Sequence, residues 1–232
     1  MTLESASHES DGGGAASRPP LVVLVHGTRD QASSFDPVAA ALDGVDIVSY
    51  DRRGWGEKPV WDGTPADLAG HADDLLMVLG DRPATVVGHS WGGNVAVAAA
   101  VRRPDLVLSV ALWETAMPWA SWWKGNHGQL ILGAIASVKE KVPGTQRQNR
   151  ERRLFLAEAS ATLSRPFDLD HLTARCIAGY GTATQPPFGP GMRAFAELMR
   201  ADVFELPDAN HMAHRENPEG FAQFVRSAIA LG

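Results

Sequence analysis

The stretch that most constrains this chain is Ala84 to Pro104, ATVVGHSWGGNVAVAAAVRRP. Thr85-Val86-Val87 supplies β-branched side chains that favour a strand, whereas Val95, Ala96 and Ala98 to Ala100 are small enough for a helix packed closely on a sheet. Between them, Gly88-His89-Ser90-Trp91-Gly92 must turn the chain from one to the other. A serine on such a turn takes a cramped backbone geometry, and glycines two residues to either side leave room for the chain to pass close to itself. In this setting the G-x-S-x-G pattern lifts the Ser90 hydroxyl clear of the sheet and makes it a candidate nucleophile. A plain glycine-rich turn is the competing reading.

The totals narrow the class. A chain of 232 residues is long enough for one α/β domain with a real core. A net charge of −6 argues against a nucleic-acid or anionic-membrane partner, because either needs a concentrated basic surface. The densest basic run, Arg147 to Arg153, is interrupted by Glu151. The single cysteine, Cys176, falls in an expected strand and reads as a buried, inert thiol. Cys and His do not show metal-site spacing, so no metal or cofactor is expected. No apolar run reaches membrane-spanning length, and the N-terminus lacks the basic-then-apolar layout of a signal peptide, which makes the cytoplasm the default location. Residues 1–20 are polar, rich in Gly, Ser and Ala, and read as a disordered tail ahead of a domain over 21–232.

GHSWGG, set between a Val-Val strand and an alanine-rich helix, resembles the nucleophile turn of the α/β-hydrolase family, and the resemblance spans roughly Leu21 to Leu231. It implies an α/β fold: a doubly wound, mostly parallel sheet of about six strands with a short helical lid insertion, and a triad in the chain order nucleophile, acid, histidine. Leu21 to Val25 reads as a central buried strand ending in His26-Gly27-Thr28. By resemblance, Thr28 and Trp91 offer the two backbone N–H groups of an oxyanion hole, while His26 reads as structural, bonding loop backbone. Ser33 to Leu42 reads as a helix and Val45 to Tyr50 as the next strand. Asp51-Arg52-Arg53-Gly54-Trp55-Gly56 resembles the family's D-x-R-G-x-G loop, whose Asp and Arg brace loops near the site. Thr64 to Gly80 reads as a helix opened by Thr64-Pro65. The two extra strands with which most family members begin have no counterpart here, so Val45 to Tyr50 is left at a sheet edge, and exposed edges invite pairing, possible as a homodimer.

Glu114 follows the strand Leu106 to Trp113 directly, at the carboxyl end where doubly wound sheets gather their working groups. The more usual acid position, after the strand Leu172 to Tyr180, falls on threonine here, either Thr182 or Thr184. Glu114 is therefore the candidate acid, in a position similar to that of hydrolases such as the haloalkane dehalogenases, with Asp202, Asp208 or no acid as alternatives. Residues 115–170 break the strand–helix alternation and form the lid insertion, where Trp119, Trp122 and Trp123 are candidate substrate-facing residues. Gly191 to Arg200 reads as a helix and Val203 to Leu206 as the last strand. Asn210-His211 and the loop to Pro218 resemble the family's G-H-x-x-x-x-E-x-P segment, with Asn210 as a residue that tolerates the left-handed backbone in place of Gly. His211 is thus the candidate base and His214 its competitor.

Together these residues describe acyl transfer to water, the hydrolysis of a carboxylic ester, lactone or thioester in a small, apolar substrate. A serine at position 90 speaks against dehalogenase and epoxide-hydrolase chemistry, which runs through a carboxylate nucleophile. The alternatives are a receptor-like binding protein with little turnover, or a lyase or cyclase that reuses the same residues.

Overall fold

The computed structural model describes residues 18–56, 67–123, 145–164 and 167–232. Six strands run in chain order as β1 (Leu21–Val25), β2 (Asp46–Ser49), β3 (Ala84–His89), β4 (Val107–Trp113), β5 (Arg175–Gly181) and β6 (Asp202–Leu206). They form one sheet in the order β2-β1-β3-β4-β5-β6, and all five pairings are parallel. The order reverses between β1 and β3, the switch point of a doubly wound sheet, where a crevice opens at the carboxyl ends of the strands. β1 and β3 are buried along their whole length, which fits the unbroken apolar run of β1 and the Val86-Val87 centre of β3. β2 is an edge strand and only partly buried, as its place in the sequence implied.

Alternate residues of β1 to β5 feed two cores, one on each face. Val23, Val25, Val86 and Val110 pack with α2 (Leu68–Leu79), α3 (Trp91–Arg102) and α5 (Phe188–Met199). Val22, Leu24, Val87, Ala111 and Trp113 face α1 (Asp36–Ala40) and α7 (Pro218–Ile229), whose Phe221 and Phe224 rings lie against Trp113 at 5.2 and 5.4 Å. Cys176 is buried on β5 and its thiol is pushed up to about 12 by burial, which makes it inert.

The strand ends differ from the sequence reading by one to three residues, β5 most, since it begins at Arg175 rather than Leu172, and three helix starts differ for physical reasons. Ser33 to Leu42 is not one helix: a 3-10 turn over Ala32–Phe35 leads into the short α1, with Pro37 in its first turn, where a missing N–H costs nothing. Thr64 and Pro65 lie outside the described residues, and the described α2 begins at Leu68 with the Asp67 side chain accepting the Gly70 N–H. α5 starts at Phe188 rather than Gly191, since Gly189 and Pro190 fall in a first turn that tolerates both.

Within 115–170, where a lid insertion is expected, residues 124–144 and 165–166 lie outside the described residues, as do residues 1–17 of the tail expected over 1–20. The described part includes α4 (Gln146–Leu163), opened by a capping box between Thr145 and Gln148, and the short loop that carries the three tryptophans. A short α6 (Ala213–Glu216) precedes α7. Among the described residues no helix is long and apolar enough to cross a membrane.

Candidate active site

Ser90 leaves β3 and immediately precedes α3, with φ 54° and ψ −124°. A residue with a Cβ avoids this region unless its surroundings impose it. Here the Ser90 N–H donates to the Trp113 carbonyl at 2.8 Å and the Ser90 carbonyl accepts the Gly93 N–H at 3.0 Å. The neighbouring backbone passes too close for any side chain but hydrogen at Gly92, where a Cβ would lie 2.2 Å from the Val25 carbonyl oxygen.

Glu114 stands one strand over, just past β4, also at positive φ (46°) and fully buried. Its N–H donates to the Gly179 carbonyl at 3.0 Å, and its Oε1 accepts the Gly181 N–H at 2.9 Å. Oε2 lies 2.7 Å from His211 Nδ1. A carboxylate can only accept, so Nδ1 carries the proton and Nε2 keeps a lone pair for a reacting group. His211 lies between β6 and α6, is one-third exposed, and packs its ring on Phe188 at 5.0 Å.

The competing residues are elsewhere. Asp202 begins β6, paired with Ile177, and is exposed. Asp208 is on an exposed turn, where its N–H donates to Thr182 Oγ1 at 2.9 Å. The left-handed residue in this loop is Asp208 (φ 56°), not Asn210. Asn210 instead uses its amide: Oδ1 accepts the Met212 N–H at 2.7 Å and Nδ2 donates to Glu216 at 2.5 Å, which folds the loop around His211.

His214 is buried behind His211 and belongs to a different network. Its Nε2 bonds Asp30 Oδ2 at 3.1 Å, while Arg215 and the Gln31 N–H bond Asp30 Oδ1. His89 lies between the two histidines, 4.7 Å from the ring of His211 and 4.3 Å from that of His214, and its Nε2–H donates to the His211 carbonyl at 2.8 Å. Burial, then the neighbouring His214 and His211, hold His89 well below the usual histidine range, so it stays neutral. Burial would raise the Asp30 carboxyl, but the His214 bond and the Gln31 N–H outweigh it and hold the group low. Asp30, His89 and His214 could in principle hold a metal, since their ligand atoms lie within 4.8 Å of one another. Hydrogen bonds from His214 and Arg215 already engage both Asp30 oxygens, and the guanidinium supplies the positive charge an ion would bring.

Thr28 and Trp91 are the residues whose backbone N–H groups the resemblance assigns to an oxyanion hole. Trp91 is the first residue of α3, where backbone N–H groups have no intrahelical partner. Thr28 follows Gly27, and a Cβ on Gly27 would come within 2.9 Å of Ser90 Cβ, so the loop after β1 passes directly beside the serine. His26 is structural: Nδ1–H donates to the Gly27 carbonyl at 2.8 Å and Nε2 accepts the Arg52 N–H at 2.9 Å. Burial, then Arg52, lower it to about 3. Loop bracing falls on Arg52 rather than Arg53. Arg52 donates to the His26 and Gly27 carbonyls at 2.8 and 2.9 Å, whereas Arg53 pairs with Asp74 of α2. Asp51 accepts the Ala32 N–H at 2.7 Å.

Trp122 and Trp123 pack against each other, and Trp123 lies 6.2 Å from Phe188, which in turn covers His211. Trp119 packs on Phe167 and shares with Trp122 a cavity of about 310 Å³ that Asp168 and Asp170 also line. Two residues at the site were not singled out from the sequence. Phe188 was hidden by the Gly and Pro that follow it. Glu158 lies in α4 on a buried stripe with Leu154 and Thr162, spaced four residues apart, and that spacing was the available signal.

A family model described as the alpha/beta hydrolase family matches residues 22–224. The chain is 25% identical to the sn-1-specific diacylglycerol lipase ABHD11 of Mus musculus over 91% of its own length and 81% of that protein. Among solved structures it resembles a hydrolase from Pseudomonas aeruginosa (TM-score 0.70, 23% identity, 92% of this chain and 91% of that one). It also resembles an enol-lactonase from Burkholderia xenovorans (TM-score 0.68, 21% identity, 91% of each chain). At these identities the two structures speak to the fold alone.

Proposed function

The chain belongs to the alpha/beta hydrolase family, and from that premise we propose that it is a serine hydrolase that cleaves a carboxylic ester, lactone or thioester of a small apolar substrate through an acyl-enzyme on Ser90. The observation that carries the reading is the 2.7 Å bond from His211 Nδ1 to a buried Glu114, together with a serine held at positive φ on the strand–helix turn. Nδ1 is committed to the carboxylate, so the His211 Nε2 lone pair takes the Ser90 proton as Oγ attacks the carbonyl carbon. The Thr28 and Trp91 N–H groups receive the charge that develops on the carbonyl oxygen. His211 then returns the proton to the leaving oxygen or sulfur, and water repeats the sequence to release the acid. Glu114 stabilises the imidazolium formed in both halves and keeps the ring oriented.

The aromatic chain of Trp122, Trp123 and Phe188, whose last ring packs on His211, favours an apolar acyl or alcohol group. A relative named as a diacylglycerol lipase fits that preference. The test is a panel of p-nitrophenyl esters of graded acyl length with wild type and Ser90→Ala. Turnover that rises with acyl length and vanishes in Ser90→Ala is the expected result. Turnover equal in both proteins would remove Ser90 from the mechanism.

A further inference from the structure

The side chains of the two residues assigned to the oxyanion hole are gripped by one turn of the lid helix. Thr28 Oγ1 donates to Glu158 Oε2 at 2.5 Å. The Trp91 indole N–H is shared between the Glu158 carbonyl at 3.1 Å and Thr162 Oγ1 at 3.0 Å, and Thr162 itself donates to that same carbonyl at 2.7 Å. Backbone donors need no particular side chain, so a threonine and a tryptophan here answer to a second requirement, the docking of α4.

Glu158 is at the centre of this contact. It is 1% exposed, and a buried carboxylate is costly unless every oxygen is engaged. Oε1 accepts the Arg52 guanidinium and the Trp55 indole N–H, each at 2.7 Å, and Oε2 accepts Thr28. Arg52 also donates to the His26 and Gly27 carbonyls and lies over the Trp91 ring at 4.8 Å. One acid from the lid thus fixes the hydroxyl of Thr28, the guanidinium that shapes the backbone before Thr28, and, through its own carbonyl, the indole of Trp91. His71 faces the same oxygen at 3.8 Å, beyond hydrogen-bond range, and burial holds it neutral, so it adds no bond.

We propose that Glu158 is a positioning residue: through Thr28, Arg52 and Trp91 it holds both oxyanion donors in register with Ser90, so the hole is set only while α4 is docked. The proposal rests on the acyl-transfer reading of Ser90. It places a requirement for the lid in the transition state, where charge has moved to the oxygen, and not in substrate binding.

The test uses the full chain with p-nitrophenyl butyrate as substrate and an alkyl trifluoromethyl ketone, whose serine adduct places an oxyanion in the hole. Thr28→Val keeps the backbone N–H and the volume but removes the hydroxyl; Thr28→Ser restores it; Glu158→Gln keeps the shape without the charge. Because removal of a whole oxyanion donor lowers kcat by roughly 10²–10³, loosening one should lower kcat about tenfold in Thr28→Val and about 10- to 100-fold in Glu158→Gln. KM should stay within about twofold, the inhibition constant of the ketone should rise in step with the loss in kcat/KM, and Thr28→Ser should recover most of what Thr28→Val loses. If Glu158→Gln does not fold, Thr28→Val decides. Thr28→Val with kcat and ketone affinity within about twofold of wild type, in a protein that Ser90→Ala inactivates, would overturn the positioning role and leave the hydrolase reading intact. Turnover that does not depend on Ser90 would overturn both.

Discussion

At the scale of single residues, Glu114 carries the proposed mechanism. Its carboxylate is the group bonded to the His211 ring, and the threonine at the alternative position, Thr182, is occupied with the Asp208 N–H. Glu114→Gln keeps the packing and the Gly181 bond but cannot stabilise an imidazolium. It should lower kcat by about 10⁴-fold, roughly 5 kcal/mol, with KM little changed. A variant that keeps more than about a tenth of wild-type kcat, a loss under ~1.4 kcal/mol, would move the acid elsewhere. Glu114 was legible because a carboxylate directly after a strand is easy to see, and so was His211, by its spacing to Pro218. Glu158 was not, because its meaning depends on Arg52, Trp55 and Thr28, which come to it from two distant loops. Asn210 was legible as a substitution but not in its use, since a glycine-like backbone and a loop-closing amide give the same letter.

At the scale of elements, the strand–turn–helix around Ser90 leaves no space for added atoms. Gly92→Ala would force a Cβ to within 2.2 Å of the Val25 carbonyl oxygen, a backbone atom that cannot swing aside. It should cost roughly 3 kcal/mol or more and take activity with it. Gly44→Ala is the control: its φ is 71° and nothing lies within 4 Å, so only the backbone penalty of about 1–2 kcal/mol applies. Urea denaturation of both variants checks this, and equal losses would mean that crowding at the turn is not what selects glycine. The strands were legible because buried parallel strands are continuous apolar runs, and their ends shifted by only a few residues. The first helix was less so, because Pro37 favours a fresh helix start and the preceding residues satisfy themselves in a 3-10 turn.

At the scale of the whole molecule, burial of neutral histidines links stability to pH. His26 is lowered to about 3 and His71 to about 2, in each case by burial first and Arg52 second, against about 6.5 when unfolded. Between those values the unfolded chain binds more protons. The stabilisation is therefore complete above pH 6.5 and is lost as pH falls toward 3, at about 1.4 kcal/mol per pH unit for each histidine, or about 3 for the pair. His89, also held low, adds in the same direction. Unfolding free energies measured from pH 7 to 4.5 should show at least this slope, His71→Phe should lower it by about 1.4 kcal/mol per pH unit, and a flat profile would contradict it. The edge strand β2 carries the proposal of a dimer, which sedimentation showing a monomer across micromolar concentrations would refute. The central claim is that Ser90 is an activated nucleophile, and covalent labelling reports it without knowledge of the substrate. Intact-mass analysis after treatment with a fluorophosphonate should show one adduct per chain, mapped to the peptide that contains Ser90, absent in Ser90→Ala and slowed by orders of magnitude in His211→Ala. No adduct on a folded wild-type protein, or an adduct that persists in Ser90→Ala, would contradict the account.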